Sequence, residues 1–426
     1  MTRDQSFSLS LFFVNYGLQY YEVFVYLQLR IKKQMEAFYR THSYLVEHTN
    51  APVRRALMDE IDWSHRLIGI KGTRGVGKTT FLLQYAKEKF GFDRSCLYVN
   101  MNNFYFSQYS LVDFAGEFMK RGGKVLLVDQ VFKLPNWSHD LRVCYERYPQ
   151  LKIVFTGSSV MRLKEENPEL NGIVKSYNLR GFSFREFLNL HTGNHFSPHT
   201  LDEILNHHEH IAKTILPYIN PLNYLQDYIH HGFYPFFLEK RNFSENLLKT
   251  MNMMIEVDIL LIQQIELKYL SRIKKLLYLL AVDGPVAPNV SQLATDIQTS
   301  RATVMNYIKY LADSRLINMI YPKGEEFPKK PAKIMMHNTN LMYSIYPIKV
   351  EEQDVLETFF VNTMWKDHKV NKGDKGASFL VDGDLHFRIC TDNYKPKSNP
   401  NVYYAMHKME MGHGNQIPLW LFGFLY

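Results

Sequence analysis

The segment 72–79 reads Gly-Thr-Arg-Gly-Val-Gly-Lys-Thr, and it constrains the fold more than any other part of the chain. It follows the apolar run 67–70, which is typical of a buried strand, and it precedes a helix predicted over 80–90. Glycines at this spacing let successive backbone N–H groups converge, and the helix N-terminus adds positive potential at the same point. The sequence therefore predicts a phosphate-binding loop between a strand and a helix.

This loop implies a nucleoside triphosphate and a metal ion as ligands. Lys78 is expected to contact the β- and γ-phosphates, and the Thr79 hydroxyl is expected to ligate Mg²⁺. ATP and Mg²⁺ are therefore the predicted cofactors. The predicted nucleotide-binding residues are Gly72, Thr73, Arg74, Gly75, Val76, Gly77, Lys78, Thr79 and Thr80.

An acidic residue ends a second apolar run. The run 125–128 predicts a strand buried on both faces, and Asp129 at its end is expected to hold Mg²⁺ through water. ATPases of this type usually carry Glu at the next position, where it acts as the general base toward the attacking water. Here that catalytic position is Gln130, whose amide can orient water but cannot take its proton. We therefore expect nucleotide to be bound and hydrolysed slowly.

A third apolar run, 153–155, leads into Thr156-Gly157-Ser158-Ser159. A polar side chain at this strand end would lie beside the phosphate-binding loop and could sense the γ-phosphate. Ser158 or Ser159 is the candidate, with Ser158 the predicted catalytic residue. A plain serine-rich turn is the alternative.

Apolar runs alternate with helical stretches from 67 to 190, which favours an α/β fold with a parallel sheet. The length of 426 residues corresponds to about three domains. We predict a P-loop NTPase sheet, and strand-like pieces near the C-terminus at 379–381, 386–389 and 419–425. The predicted divisions are an N-terminal extension of doubtful function at 1–34, the ATPase core at 35–195, a helical lid at 196–268, a winged helix at 269–333 and a mixed α/β domain at 334–426.

Composition narrows the class of protein. The chain is 46% hydrophobic and 22% charged, which excludes a largely disordered or collagen-like chain. Cys96, Cys144 and Cys390 lie far apart and form no Cys-x-x-Cys pair, which argues against a disulfide framework and predicts a cytoplasmic protein. The net charge of +8 permits an anionic partner but does not require one.

The N-terminal stretch 7–29 is apolar and aromatic. A membrane span needs about 20 mostly apolar residues, and polar side chains such as Glu22 and Gln28 inside this stretch are costly in lipid. A membrane anchor is therefore not expected. An extension is expected instead, with Met35 as a possible start of the working protein.

Three predicted helices, at 271–281, 291–297 and 299–311, form a helix-turn-helix pattern that a hairpin over 316–333 would extend into a winged helix. DNA is a possible partner, through Arg301, Asn306 and Lys330, and contact with protein is the alternative. Positions expected to face a major groove are Arg301, Thr303, Asn306, Tyr307 and Lys309. Lysines expected to meet phosphates are Lys323, Lys329, Lys330 and Lys333.

With these motifs the chain resembles the bacterial AAA-type ATPases of the STAND and archaeal-ATPase group, whose C-terminal part is related to restriction-endonuclease folds. The resemblance covers about 35–426. It is carried by the stretches 69–80, 125–137 (VLLVDQVFKLPNW), 152–159 (KIVFTGSS), 177–190 (YNLRGFSFREFLNL) and 417–426 (IPLWLFGFLY). It implies an ATP-dependent switch, and a nucleic-acid-binding regulator or a protein-interaction scaffold are the alternatives.

The chain departs from this family at two positions near the nucleotide. Family members usually have Asp-Glu where this chain has Asp129 and Gln130, and they carry an Arg, thought to contact the terminal phosphate, where this chain reads Asn-Gly-Ile at 171–173. Both departures imply impaired turnover. Arg180 or Arg185 could substitute for the missing Arg, although a surface or lid-contacting role is the favoured alternative for both.

The C-terminal domain is expected to lack nuclease activity. A restriction-type nuclease needs an Asp and a Glu-x-Lys group around Mg²⁺. Asp382 and Asp384 are in place, but Arg388 stands where the Glu is expected. Lys395 and Lys397 follow at looser spacing. No metal site is expected at His207, His208, His210, His230 and His231, which have no carboxylate or cysteine partners in the pattern.

Overall fold

The computed structural model describes residues 33–161, 167–239, 242–260, 265–374, 376–392 and 399–426. The expectation about a membrane anchor at 7–29 concerns residues outside these ranges. Across the described ranges, the helices are all too short or too polar to cross a bilayer.

A five-stranded parallel sheet forms the centre of the N-terminal half, which confirms the predicted α/β layer. Its strands run in the spatial order β2-β3-β4-β1-β5, and every neighbouring pair is parallel. The strands are β1 (Leu67–Gly72), β2 (Cys96–Asn100), β3 (Val125–Asp129), β4 (Lys152–Ser158) and β5 (Lys175–Asn178). The connecting helices are Lys78–Lys89, Leu111–Lys120 and Trp137–Arg147, with short helical turns at Phe104–Ser107 and Val131–Lys133.

Both faces of this sheet are buried. Since side chains alternate across each strand, β1, β2, β3 and β4 each contribute to two hydrophobic cores. In β3, Leu126 and Val128 enter one hydrophobic core, whereas Val125 and Leu127 enter another. The first core also contains Met35, Phe38 and Tyr39 from the helical residues 33–48. The boundary predicted at residue 35 thus falls inside a helix whose apolar face covers the sheet.

Two details of the sheet differ from the sequence-based expectation. The helix after β1 begins at Lys78 rather than at residue 80, because Gly77 with φ 90° ends the loop directly before it. The edge strand β5 was missed, since its side chains are half-buried or exposed and lack an apolar run.

The stretch predicted as one helical lid, 196–268, is divided between two cores. Helices Leu201–Ile215 and Leu222–Asp227 pack with the C-terminal region, together with helix Phe184–Thr192. Phe243–Met253 and the π-helical turn Met254–Ile259 pack instead against the parallel sheet. Short turns at Tyr228–Gly232 and Pro235–Glu239 join the two parts.

Three helices and a two-stranded antiparallel pair follow. The helices are Leu270–Asp283, Val290–Asp296 and Arg301–Asp313, and a short turn at Leu267–Tyr269 precedes them. Strands β6 (Ile317–Ile320) and β7 (Lys333–Met336) pair next, and Val286 forms an isolated bridge to Ile334. This unit shares its core with one face of the parallel sheet.

The C-terminal part contains a second, mixed sheet. Its order is β12-β11-β10-β9-β8, in which β10, β11 and β12 are parallel neighbours and the other pairs are antiparallel. The strands are β8 (Val370–Lys372), β9 (Phe379–Val381), β10 (Leu385–Cys390), β11 (Val402–Met406) and β12 (Gln416–Pro418), and the helices are Thr339–Ile345 and Glu352–Met364.

The prediction of a strand at 419–425 is wrong. Leu419–Phe424 forms a 3₁₀ helix, and its side chains are buried. A short apolar run without alternation cannot distinguish a strand from a buried helix. Here Trp420 and Phe422 turn into the core formed with Phe184 and Phe359.

Candidate nucleotide site

The phosphate-binding loop lies at the carboxyl end of β1, where open α/β sheets bind their ligands. Gly75 and Gly77 have φ values of 85° and 90°, in the left-handed region that favours glycine. The Lys78 ammonium donates to the carbonyl oxygens of Gly72 and Thr73, both at 2.8 Å. Lys78 therefore lies folded across the loop, over the space that phosphate oxygens would enter.

Two oxygen ligands suitable for Mg²⁺ meet beneath the loop. The Thr79 hydroxyl donates to Asp129 Oδ2 at 2.7 Å, and Asp129 is buried at the end of β3. Tyr98 donates to the same carboxylate oxygen at 2.8 Å, while Thr156 donates to the other. Hard oxygen donors of this kind fit Mg²⁺, which is bound through few protein ligands and several waters.

The Lys78 ammonium is less basic than a free lysine. Burial lowers the pKa of Lys78 from 10.5 to about 8, and the carboxylates of Asp258 and Asp129 oppose this shift. A charged lysine in this position would be stabilised further by phosphate. The loop is therefore suited to bind an anion.

Gln130 lines a cavity that also contains the loop and Asp129, as expected of the residue directly after Asp129. Its backbone is left-handed, with φ 57°, and its N–H donates to the Thr156 hydroxyl at 2.9 Å. Its side-chain oxygen accepts from the Asn102 amide at 3.0 Å. Its side-chain amide can thus donate to water, but it offers no basic group.

The cavity around these residues measures about 470 Å³ and has two walls. The sheet contributes the loop, Asp129, Gln130 and Ser158. A second wall comes from Pro235, Phe236, Leu238, Glu239 and Asp258. A Cβ atom on Gly75 would meet Phe236 at 3.0 Å, so this second wall covers the loop closely.

An ion pair between a half-buried arginine and a buried carboxylate lines the cavity. Arg74 Nη2 lies 2.6 Å from Asp258 Oδ1, and Asp258 is 3% exposed. Ser158 donates to the other Asp258 oxygen at 3.3 Å. The structure describes both serine candidates: Ser158 lines the cavity, and Ser159 does not. Sequence reasoning missed Asp258, whose weak signal is a carboxylate within the apolar helical stretch 251–260.

Arg55 is a second residue that sequence reasoning missed. Its guanidinium lies 3.0 Å from Glu186 Oε1 and donates to the Val76 carbonyl at 3.2 Å. It also donates to the carbonyls of Arg180 and Gly181 at 2.8 and 3.0 Å. Arg55 thus ties the loop to helix Phe184–Thr192, and no local pattern signals such distant partners.

The proposal that Arg180 or Arg185 replaces the missing phosphate-contacting Arg is wrong. Arg180 donates to the carbonyls of Asn362 and Trp365, at 2.5 and 3.1 Å. Arg185 donates to the backbone oxygens of Tyr426 and Phe196, at 3.0 and 2.9 Å. Both guanidiniums are held by backbone oxygens of the C-terminal region and of Phe196, and neither residue lines the cavity.

Only some of the residues proposed for DNA contact are exposed and free of intramolecular side-chain contacts in the described part of the chain. Arg301, Asn306 and Lys330 are exposed, and Thr303 is half-buried. The prediction that Tyr307 is exposed is wrong, because its side chain is 5% exposed and packs in the core. DNA binding stays a prediction. The other lysines contact protein groups: Lys309 with Asp313, Lys323 with the Gly383 carbonyl, Lys329 with Glu325 and Lys333 with Glu357.

The acidic residues of the C-terminal domain serve local contacts. Asp382 accepts from the Lys369 N–H at 2.8 Å and lies 2.6 Å from His368 Nδ1, while Asp384 is exposed. Arg388 donates to the Gly376 carbonyl at 2.7 Å. Lys395 and Lys397 lie outside the described residues, and the absence of nuclease activity stays a prediction.

The remaining candidates occupy ordinary positions. His208 is buried, His230 contacts Gln226 and His231 contacts Asp227, while His207 and His210 lie on the same helix as His208. Cys96, Cys144 and Cys390 are buried free thiols, and burial raises the pKa of each to about 12.

Comparison with known families agrees with this geometry. A model described as "AAA domain" matches residues 64–188, and one described as "Domain of unknown function (DUF8612)" matches residues 222–352. The first match contains the parallel sheet, the phosphate-binding loop and Asp129. Residues 64–188 therefore form an AAA-type P-loop domain, which implies nucleotide binding and usually Mg²⁺.

Two individual proteins show more distant similarity. The "Uncharacterized protein MJ1637" of Methanocaldococcus jannaschii is 28% identical over 274 residues, which cover 61% of this chain and 57% of that protein. The chain thus spans under two thirds of this relative. A structure of C. elegans PCH-2 aligns at 14% identity over 37% of this chain and 45% of the other, with a TM-score of 0.22.

Proposed function

We propose that the chain binds Mg-ATP in this cavity and acts as a slow ATPase that works as a nucleotide-dependent switch. The observation that carries the proposal is the contact between Thr79 and Asp129, 2.7 Å long, directly beneath a loop that presents Lys78. This arrangement combines an anion-binding loop with an oxygen pair for a metal. The match to the AAA domain supports it.

Each residue has a distinct role in this proposal. The loop backbone and Lys78 would bind the phosphates, and Thr79 and Asp129 would hold Mg²⁺, which would supply positive charge to the phosphate oxygens. Ser158 would contact the terminal phosphate. Gln130 orients water but cannot accept its proton, so the attacking water stays a weak nucleophile and hydrolysis is slow.

The switch follows from the two walls of the cavity. Pro235–Glu239 and Asp258 cover the loop, and the chain continues from them into the three helices 270–313. A nucleotide that contacts both walls would favour one relative position of these elements over another. We propose that the unit 269–333, interpreted as a winged helix, transmits this change to a partner.

The proposal is tested by titrating the full chain with Mg-ATP and comparing the variant Lys78→Ala. Loss of one charged contact to phosphate is expected to weaken binding by roughly 10- to 100-fold. Lys87→Ala is the matched control, because Lys87 lies on the same helix and its ammonium contacts the Thr49 carbonyl at 2.8 Å. Equal affinity in all three proteins would refute the assignment.

Affinity for Mg-ATP is also expected to fall as the pH rises above 8. The pKa of Lys78 is about 8 without ligand, and phosphates would raise it, so binding above this pH requires uptake of a proton. We expect roughly tenfold weaker binding at pH 9 than at pH 7.5. The Lys78→Arg variant keeps its charge in this range, so its affinity should not change. Isothermal titration at the two pH values checks both expectations, and a flat profile for the natural chain would contradict the first.

A further inference from the structure

Asp258 brings a negative charge to the place where a nucleotide would bring its own. Its carboxylate is buried, lines the cavity and comes from the turn Met254–Ile259, which belongs to neither the loop nor the sheet. It contacts Arg74 of the loop at 2.6 Å and Ser158 at the end of β4 at 3.3 Å. These two partners belong to the phosphate side of the cavity, so the carboxylate occupies groups that a phosphate could use.

The position of these contacts identifies which phosphate is affected. In loops of this kind the N–H groups surround the inner phosphates, and the lysine contacts the β- and γ-phosphates. Ser158 is the last residue of β4, which lies between β1 and β3, so its hydroxyl lines the cavity between the loop and Asp129, where a terminal phosphate would lie. A carboxylate that contacts Ser158 therefore faces the γ-phosphate rather than the α- or β-phosphate.

Charge balance then distinguishes two classes of nucleotide. A nucleoside diphosphate leaves the outer position empty, so the Arg74–Asp258 pair can persist beside it. A triphosphate places its terminal charge against the Asp258 carboxylate, and like charges held together without water are strongly unfavourable. To bind, the triphosphate must displace the carboxylate and take over Arg74 and Ser158.

We infer that Asp258 determines selectivity between nucleoside diphosphate and triphosphate. Its carboxylate occupies Arg74 and Ser158, so a terminal phosphate must compete with it for these two residues. This inference rests on the proposed nucleotide binding. The diphosphate state keeps the two walls joined through the ion pair. The triphosphate state separates Asp258 from the loop, and this separation is the movement that the switch requires.

The test compares dissociation constants for Mg-ATP and Mg-ADP in the full chain and in Asp258→Asn. Removing the charge is expected to strengthen Mg-ATP binding at least about tenfold while changing Mg-ADP binding less than about threefold. Glu256→Gln is the matched control, since Glu256 lies in the same turn but pairs with Lys274 at 2.5 Å. It should change neither constant.

A second variant covers the case in which Asp258→Asn does not fold. Arg74→Gln leaves the carboxylate without its cation, so Mg-ATP binding should weaken more than Mg-ADP binding. Equal changes for the two nucleotides in the folded variant would overturn the inference.

Failure of this inference is distinguishable from failure of the proposed function. If the natural chain binds Mg-ATP, and Lys78→Ala weakens that binding while Lys87→Ala does not, the proposed nucleotide binding stands whatever Asp258→Asn shows. If no nucleotide binds to any of the proteins, both are refuted.

Discussion

Replacing Gln130 with Glu is expected to raise the rate of ATP hydrolysis by about 100-fold, the scale of a positioned general base. The new carboxylate could take the proton that the amide cannot. The local structure should persist, because the Asn102 amide donates to the Gln130 side-chain oxygen at 3.0 Å and would donate equally to a carboxylate. Phosphate release at saturating Mg-ATP measures the effect.

Two comparisons make this result interpretable. Gln130→Ala offers no base and should stay as slow as the natural chain or slower, while nucleotide affinity should be similar in all three proteins. Brisk turnover by the natural chain would contradict the assignment of Gln130 as the cause of slow hydrolysis. An unchanged rate in Gln130→Glu, with nucleotide bound, would do the same.

Replacing Arg55 with Met is expected to destabilise the protein by about 3–5 kcal/mol. Glu186 is 2% exposed, and without Arg55 its charge would be buried without a cationic partner. The carbonyls of Val76, Arg180 and Gly181 would also lose a donor. The free energy of unfolding in denaturant, followed at equilibrium, measures the loss.

The neighbouring residue provides the control. Arg54 pairs with Asp59 and Glu88 at the surface, so Arg54→Met should cost less than about 1 kcal/mol. Adding Glu186→Gln to Arg55→Met should recover part of the loss, because the unpaired charge is removed. A loss in Arg55→Met no larger than in Arg54→Met would show that the buried pair does not hold the loop to its neighbouring helix.

Local patterns predicted the centre of the fold well. The apolar runs 67–70, 125–128 and 153–155 are strands, and the glycine-rich segment between strand and helix forms the loop as expected. These features depend on residues close together in sequence, so composition and spacing are sufficient to find them. The half-exposed edge strand β5 has no such signal and was missed.

The long-range contacts around the site could not be predicted from local patterns. Arg55 and Glu186 are 131 residues apart, and Arg74 and Asp258 are 184 apart. Each pair is brought together only by the packing of whole elements. A buried carboxylate in an apolar helix marks an unusual position, but its partner is not readable from neighbouring residues. For Arg180 and Arg185 the sequence left a phosphate contact open as the less favoured alternative, and packing holds both residues elsewhere.

The separation between Arg74 and Asp258 has a consequence for the newly made chain. At roughly 5–20 residues per second, the 184 residues between them take about 10–40 s to synthesise on the ribosome. The last strand of the parallel sheet ends at Asn178, so for the final 80 of these residues, or about 4–16 s, the sheet can fold while its loop is uncovered by the second wall. We therefore expect the nascent chain to meet cellular nucleotide before Asp258 emerges, so that the site first closes over whichever nucleotide is already bound.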